Sequence, residues 1–73
     1  MRTINRYIVT LAIDLLYKYA DTICTPKQLI NGCYEDNYCS YYDEQEQCYM
    51  ITINDLDNYI KDTFNIDLEL RNY

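Results

Sequence analysis

The N-terminal part of the chain repeats apolar residues at helical spacing, and this repeat limits what the chain can fold into. The pattern predicts a helix near residues 3–20. Few polar residues interrupt it, so such a helix is expected to be buried on most of its sides. The remaining elements must therefore pack around it. The repeating positions are Ile4, Ile8, Leu11, Leu15 and Tyr19, widened by Tyr7, Ala12 and Leu16.

A second helix is predicted from the capping sequence TPKQ at residues 25–28. In a capping box the Thr25 hydroxyl accepts from the Gln28 amide while the Gln28 side chain reaches back to the Thr25 amide. A proline at the first helical position suits this arrangement, because its missing N–H has no partner there in any case. The helix is expected near 26–32, with Glu35 as an alternative end, since the Asn-Gly pair at 31–32 either ends the helix or weakens it. The rival interpretation makes this pair a hairpin turn.

A third helix is predicted over residues 53–64. Thr52 and Asp55 repeat the capping spacing, with aspartate in place of the more usual Glu or Gln. Apolar residues spaced three and four apart give this helix a buried stripe. Asn65 suits the left-handed residue that often comes directly after a helix.

Strands are expected where apolar and polar residues alternate, at 37–42, 47–52 and 66–70. The first two flank a polar connection at 43–46, which predicts a hairpin with an acidic tip. The fold class expected for the chain is therefore α+β, with three helices and a small antiparallel sheet in the order α-α-β-β-α-β. The length of 73 residues fits a single small domain.

The four cysteines allow three interpretations. A chain below about 70–80 residues often depends on a metal, a disulfide or a partner chain for stability. The spacing C-x8-C-x5-C-x8-C lacks the close ligand pairs of most zinc sites, and free cysteines commonly pack as small apolar groups. No cofactor is therefore expected. The alternatives are a zinc-stabilised structural or adaptor module, or a Cys39–Cys48 disulfide; the zinc ligands would be Cys24, Cys33, Cys39 and Cys48.

Charge is distributed unevenly along the chain, which has a net charge of −6. Residues 28–60 contain seven acids and no Lys or Arg, whereas residues 1–27 have a net charge of +2. An acidic centre repels phosphate, so direct nucleic-acid binding is not expected, but it attracts basic protein surfaces. No apolar run is long enough for a membrane span, and no targeting segment is recognised. The expected location is the cytoplasm.

Catalysis is not expected, because the usual groups are missing from the sequence. The chain has no histidine to activate a cysteine nucleophile, and Ser40 is its only serine. Its single glycine excludes a glycine-rich phosphate loop. The many carboxylates have no feature that distinguishes an acid/base pair from surface acids.

Tyrosines interleaved with acids form the candidate binding surface. Tyrosine is enriched at protein interfaces, and carboxylates beside it suit arginine on a partner. This combination predicts contact with a basic site of the kind that binds nucleic acid. Exposed tyrosines would also serve a homodimer. The predicted contact residues are Glu35, Asp36, Tyr41, Tyr42, Asp43, Glu44 and Glu46.

In size and composition the chain resembles small acidic inhibitors encoded by phages, including anti-CRISPR proteins and DNA mimics. The features that carry the resemblance are the short length, the cation-free span 28–60 and the acidic tip 43–46 among tyrosines. The resemblance implies a non-enzymatic inhibitor that binds a host nucleic-acid-binding protein in the host cytoplasm. It transfers no individual functional residue, because such inhibitors share no common motif.

Overall fold

The computed structural model describes residues 3–39 and 41–73, with the side chains of Cys48 and Tyr49 outside the description. The described chain is mostly helical. Three helices are present, as predicted, together with one short antiparallel hairpin and a C-terminal 3₁₀ turn. In chain order the elements are α1 (Arg6–Ala20), α2 (Pro26–Glu35), β1 (Tyr41–Asp43), β2 (Cys48–Met50), α3 (Ile53–Phe64) and the 3₁₀ turn (Leu70–Asn72).

Helix α1 begins three residues later than predicted, because Asn5 caps it. The Asn5 side chain accepts a hydrogen bond from the Ile8 amide at 2.9 Å. Residue Thr3, expected inside the helix, forms an isolated bridge with Thr52 instead. The expectation that α1 is buried on most sides is wrong, since it buries one face and exposes its tyrosines. The buried residues are Ile8, Val9, Ala12 and Leu16, and the exposed tyrosines are Tyr7, Tyr17 and Tyr19.

Helix α2 has the predicted capping box and extends past 26–32 to the alternative end at Glu35. The Thr25 amide donates to Gln28 Oε1 at 2.9 Å, and the Gln28 amide donates to the Thr25 hydroxyl at 3.2 Å. The helix then continues through Gly32 to Glu35. The glycine does not end the helix, because it makes room for the Tyr59 ring of α3, whose Cζ would lie 2.7 Å from a Cβ at position 32. Packing between helices, rather than a turn, explains this glycine.

Helix α3 agrees with its predicted bounds. The Thr52 amide donates to Asp55 Oδ2 at 3.0 Å, and the Asp55 amide donates to the Thr52 hydroxyl at 3.2 Å. Asn65 comes directly after the helix in the left-handed conformation, with φ of 58°. The capping prediction is therefore confirmed at both ends of α3.

The predicted three-stranded sheet is not confirmed. The described strands are limited to β1 and β2, which are shorter than the predicted 37–42 and 47–52. Thr52 caps α3 instead of extending a strand, and Ser40 lies outside the described residues. The predicted strand at 66–70 is wrong, because this segment has no strand partner in the described part of the chain and ends in the 3₁₀ turn.

The C-terminal segment alternates in burial without forming a strand. Leu68 and Leu70 are buried in the core, which explains the alternating sequence pattern. Glu69 between them adopts a left-handed conformation with φ of 54°, so the backbone turns where a strand would continue. Asp57 of α3 holds this turn by accepting from the Leu70 amide at 2.8 Å. The alternating sequence pattern at 66–70 therefore reflects the burial of Leu68 and Leu70 and does not indicate a β-strand.

The core lies between the three helices and the C-terminal segment. The residues before α1 close one side of it, since the Ile4 amide donates to the Ile51 carbonyl at 3.0 Å. None of the helices in the described part of the chain has the length and apolar character needed to cross a membrane. The core side chains include Ile8, Val9, Ala12, Leu16, Leu29, Cys33, Ile51, Ile53, Leu56, Tyr59, Ile60, Leu68 and Leu70.

Candidate protein-binding surface

The hairpin formed by β1 and β2, residues 41–50, is named here the acidic hairpin. Its strands pair with Tyr41 opposite Met50 and Asp43 opposite Cys48, leaving residues 44–47 as the connecting turn. Tyr41 and Tyr42 are 45% and 49% exposed, so about half of each side chain faces solvent. The predicted tyrosine-bearing hairpin with an acidic connection is therefore present, one residue further along the chain than expected.

Asp43 has a structural role in the turn. Its Oδ1 accepts hydrogen bonds from the Gln45 amide at 2.9 Å and from the Glu46 amide at 3.2 Å. A short aspartate side chain bonded to the backbone two and three residues later is a typical way of fixing a turn. Among the predicted contact residues, Asp43 therefore stabilises the turn of the hairpin. The side chains of Glu44 and Glu46 are exposed to solvent.

The carboxylates of Glu44 and Glu46 are exposed and form no ion pair with a described residue. Among the residues that the structure describes, ion pairs join Arg71 to Asp57 and to Asp67 and involve no hairpin residue. The turn therefore presents negative charge that no described cation pairs with, next to two half-exposed aromatic rings. Such charge increases the association rate with a basic surface.

Glu35 and Asp36 lie apart from the hairpin in the chain, at the C-terminal end of α2. Both are exposed, and Asp36 is the residue that caps the helix. Carboxylates at this end are disfavoured by the helix dipole, whose C-terminus is negative. The structure thus places the seven predicted contact residues on two elements, five on the hairpin and two on α2.

Tyr38 connects the chain before the hairpin to α3. Its hydroxyl donates to the Asp62 carboxylate. Its ring meets the Tyr59 ring edge-to-face, with centroids 5.6 Å apart. The hydrogen bond to Asp62 is the main cause that raises the pKa of the Tyr38 hydroxyl above its usual range. Sequence alternation predicts Tyr38 in a strand, but its contacts are with a helix.

The cysteines divide into one core thiol and two partly exposed thiols. Cys33 is fully buried, and burial is the main cause that raises its pKa to about 12. Cys24 and Cys39 are half-buried. All three are free thiols, so the alternative of a Cys39–Cys48 disulfide is wrong. Cys33 therefore fits the interpretation in which cysteine packs as a small apolar group.

The zinc alternative receives no support from the arrangement of the described residues. No group of three or more potential metal ligands occurs among the described side chains, but the Cys48 side chain of the proposed ligand set lies outside them. A cysteine that binds zinc must be a thiolate, whereas the surroundings of Cys33 favour its neutral thiol. Zinc binding by Cys24, Cys33, Cys39 and Cys48 stays a prediction.

Replacing Cys33 with alanine is expected to reduce the loss of stability at alkaline pH. The raised pKa means that the folded state favours the protonated thiol of Cys33. The contribution of this thiol to the free energy of unfolding is therefore constant below the ordinary thiol pKa of 9.0. It declines as pH increases from that value towards about 12. Urea unfolding of the wild type and Cys33→Ala at a series of pH values measures the difference. Equal alkaline slopes would contradict the assignment of a buried neutral thiol.

A groove between α1 and α2 was not predicted from the sequence. Arg6 and Lys27 line it together with Val9, Pro26 and Ile30. The available signal was the cationic N-terminal part of the chain, which contrasts with the acidic centre. The sequence could not show that cations from two separate helices border one apolar depression.

Comparison of this chain with protein-family models, with curated proteins and with solved structures finds no match. No activity or partner is therefore transferred from a relative. The function has to be inferred from the charge, exposure and contacts of the side chains themselves.

Proposed function

We propose that this protein is a non-enzymatic inhibitor that occupies a basic nucleic-acid-binding site on a host protein. In this proposal it acts in the host cytoplasm, in the manner of anti-CRISPR proteins and DNA mimics. The acidic hairpin makes the contact. The observation that carries the proposal is an exposed turn whose carboxylates pair with no described cation and adjoin two half-exposed tyrosines.

The charge pattern supports this mode of binding. A site that binds nucleic acid presents Lys and Arg side chains together with surfaces on which bases stack. Glu44 and Glu46 supply carboxylates for bidentate pairing with arginine. Tyr41 and Tyr42 supply rigid aromatic area that costs little conformational entropy to order. The hairpin thus offers, on one small element, both kinds of group that such a site recognises.

The organisation of the turn supports the proposal in a second way. Asp43 already holds the backbone amides of residues 45 and 46, so the turn does not have to become ordered on binding. Preorganisation of this kind reduces the entropy cost of association. The two exposed glutamates are carried by a turn whose backbone is fixed independently of them.

Neutralising the turn with Glu44→Gln and Glu46→Gln is expected to weaken partner binding by about fivefold or more at low salt. The physical reason is that both carboxylates are lost while Asp43 and the hairpin remain. The measurement is quantitative pull-down from host lysate, followed by titration of the captured protein and competition with single- and double-stranded DNA. Binding should also weaken as salt increases, because exposed charges are screened.

A matched control variant is available on other surfaces of the molecule. Asp14→Asn with Glu69→Gln removes the same amount of negative charge from exposed positions outside the hairpin. It should bind the partner nearly as well as the wild type. An equal loss of affinity in both variants would show that the effect depends on net charge and not on the hairpin. Unchanged affinity in the hairpin variant, or a captured protein that DNA does not displace, would remove the assignment.

A further inference from the structure

The groove between α1 and α2 is lined by apolar and cationic side chains together with Thr10 and Asn31. Its volume is about 550 Å³, and Val9, Pro26 and Ile30 provide apolar lining. Arg6 and Lys27 also line it, and both are exposed. Within the described residues neither cation forms an ion pair, since the ion pairs found there are those of Arg71. The groove is therefore the electrostatic counterpart of the acidic hairpin.

The positions of the two cations are costly for helix stability. Arg6 is the first residue of α1 and Lys27 the second residue of α2, and neither helix has an acid in its first turn. Positive side chains near the positive end of the helix dipole are disfavoured. A carboxylate arriving from outside would relieve this unfavourable charge on both helices together.

The size of the groove limits the occupant. Its lining residues span about one turn of α1 and about one and a half turns of α2, a length of roughly 6–8 Å. That space suits one bulky side chain with carboxylates next to it. The chain itself carries this combination, because the half-exposed Tyr42 directly precedes Asp43, Glu44 and Glu46 in the turn.

We propose that the acidic hairpin of one molecule docks into the α1–α2 groove of a second copy. The Tyr42 side chain of β1 would enter the groove, and Glu44 and Glu46 would approach Arg6 and Lys27. The contact joins two different surfaces, so it is heterologous. An open assembly keeps one free hairpin at its end, whereas a closed ring keeps none. The contact is small, which places it among weak associations that form at high protein concentration.

Self-association of this kind would regulate the hairpin. The inference rests on the same element as the proposed function, since the docked hairpin is unavailable to a host protein. A host site with more cations than the groove would displace the second copy. The protein would then be stored in a masked form and released by its partner through competition for the same carboxylates.

The test uses complementary charge reversals and sedimentation velocity over a concentration series. One variant reverses the groove, Arg6→Glu with Lys27→Glu, and the other reverses the turn, Glu44→Lys with Glu46→Lys. Each alone is expected to self-associate at least about tenfold more weakly than the wild type. An equimolar mixture should recover association, because each variant then meets a groove or hairpin of opposite charge.

Folding of the variants is checked by thermal unfolding. Acids in the first turn of α1 and α2 agree with the helix dipole, so the groove variant should be at least as stable as the wild type. A control that reverses two acids elsewhere, Asp14→Lys with Glu69→Lys, should retain self-association. If this control loses association as fully as the turn variant, total charge and not the hairpin is responsible, and the proposal is overturned.

Two other outcomes would also overturn the self-docking proposal. One is a wild type that sediments as a monomer at every concentration. The other is a mixture of the two reversed variants that does not associate. Loss of the host partner by the groove variant would assign the groove to that partner instead. The proposed function is tested independently of self-association. It would fail if the hairpin captured no host protein, whether or not the wild type self-associates.

Discussion

Replacing Asp57 with alanine is expected to destabilise the protein by about 2–4 kcal/mol, because a buried acceptor of three hydrogen bonds is lost. Asp57 is 3% exposed. It accepts from the Leu70 amide at 2.8 Å, from the Arg71 amide at 3.1 Å and from Arg71 Nη1 at 3.1 Å. Without it the Leu70 amide is buried beside an apolar methyl group, and the C-terminal segment loses its attachment to α3.

This loss is large for a chain of this length. At roughly 0.05–0.15 kcal/mol per residue, 73 residues correspond to a total stability of about 4–11 kcal/mol. A loss of about 2–4 kcal/mol corresponds to a melting temperature lower by roughly 10–30 °C in a domain of this size. Differential scanning calorimetry and urea unfolding measure it. Asp57→Asn should be intermediate, since the amide keeps one acceptor oxygen.

Asp67→Asn provides the matched control for Asp57. It neutralises another carboxylate that pairs with Arg71, at 3.4 Å, but one that is exposed. Exposed ion pairs contribute little because water and salt screen them. The melting temperature of Asp67→Asn should therefore stay close to that of the wild type. Similar effects of Asp57→Ala and Asp67→Asn would contradict the assignment of a buried structural role to Asp57.

Replacing Gly32 with alanine is expected to destabilise the protein by up to about 2 kcal/mol, although alanine is the better helix former. The gain in helix propensity is about 1 kcal/mol. Against it stands overpacking, which costs about 1–3 kcal/mol in a filled core. The new Cβ would collide with the Tyr59 hydroxyl and would lie 2.7 Å from its Cζ. Tyr59 is buried and packs edge-to-face on Phe64, so its ring has little room to move.

The control for Gly32 is the same substitution in a Tyr59→Leu background. Leucine removes the end of the ring, so the added methyl group meets no hydroxyl or ring carbon. Gly32→Ala should then be neutral or stabilising by up to about 1 kcal/mol, the helix-propensity term alone. The effect of Gly32→Ala on the free energy of unfolding thus changes sign between the two backgrounds, because residues 32 and 59 are in contact. A double-mutant cycle of unfolding free energies measures this coupling. Destabilisation of equal size in both backgrounds would contradict the contact.

The candidate surface was predictable from the sequence in composition but not in detail. Exposed acids and tyrosines around residues 41–46 are expected from their chemistry and from the alternation beside them. Asp43 binds the backbone of the turn, while Glu44 and Glu46 face outward. This difference depends on which backbone amides lie within hydrogen-bond distance of Asp43 Oδ1. The cationic groove requires two helices to be placed side by side, which no local pattern specifies.

The sequence by itself determined the helix caps. Thr25 with Gln28, and Thr52 with Asp55, each satisfy backbone groups within three residues, so their interactions depend on local chain geometry alone. Only the tertiary structure decided how far α2 extends and which conformation the chain takes after α3. Gly32 stays helical because Tyr59, distant in sequence, packs on it. The segment 66–70 turns because a strand needs a partner edge, whereas the buried carboxylate of Asp57 binds the backbone amides of Leu70 and Arg71 instead.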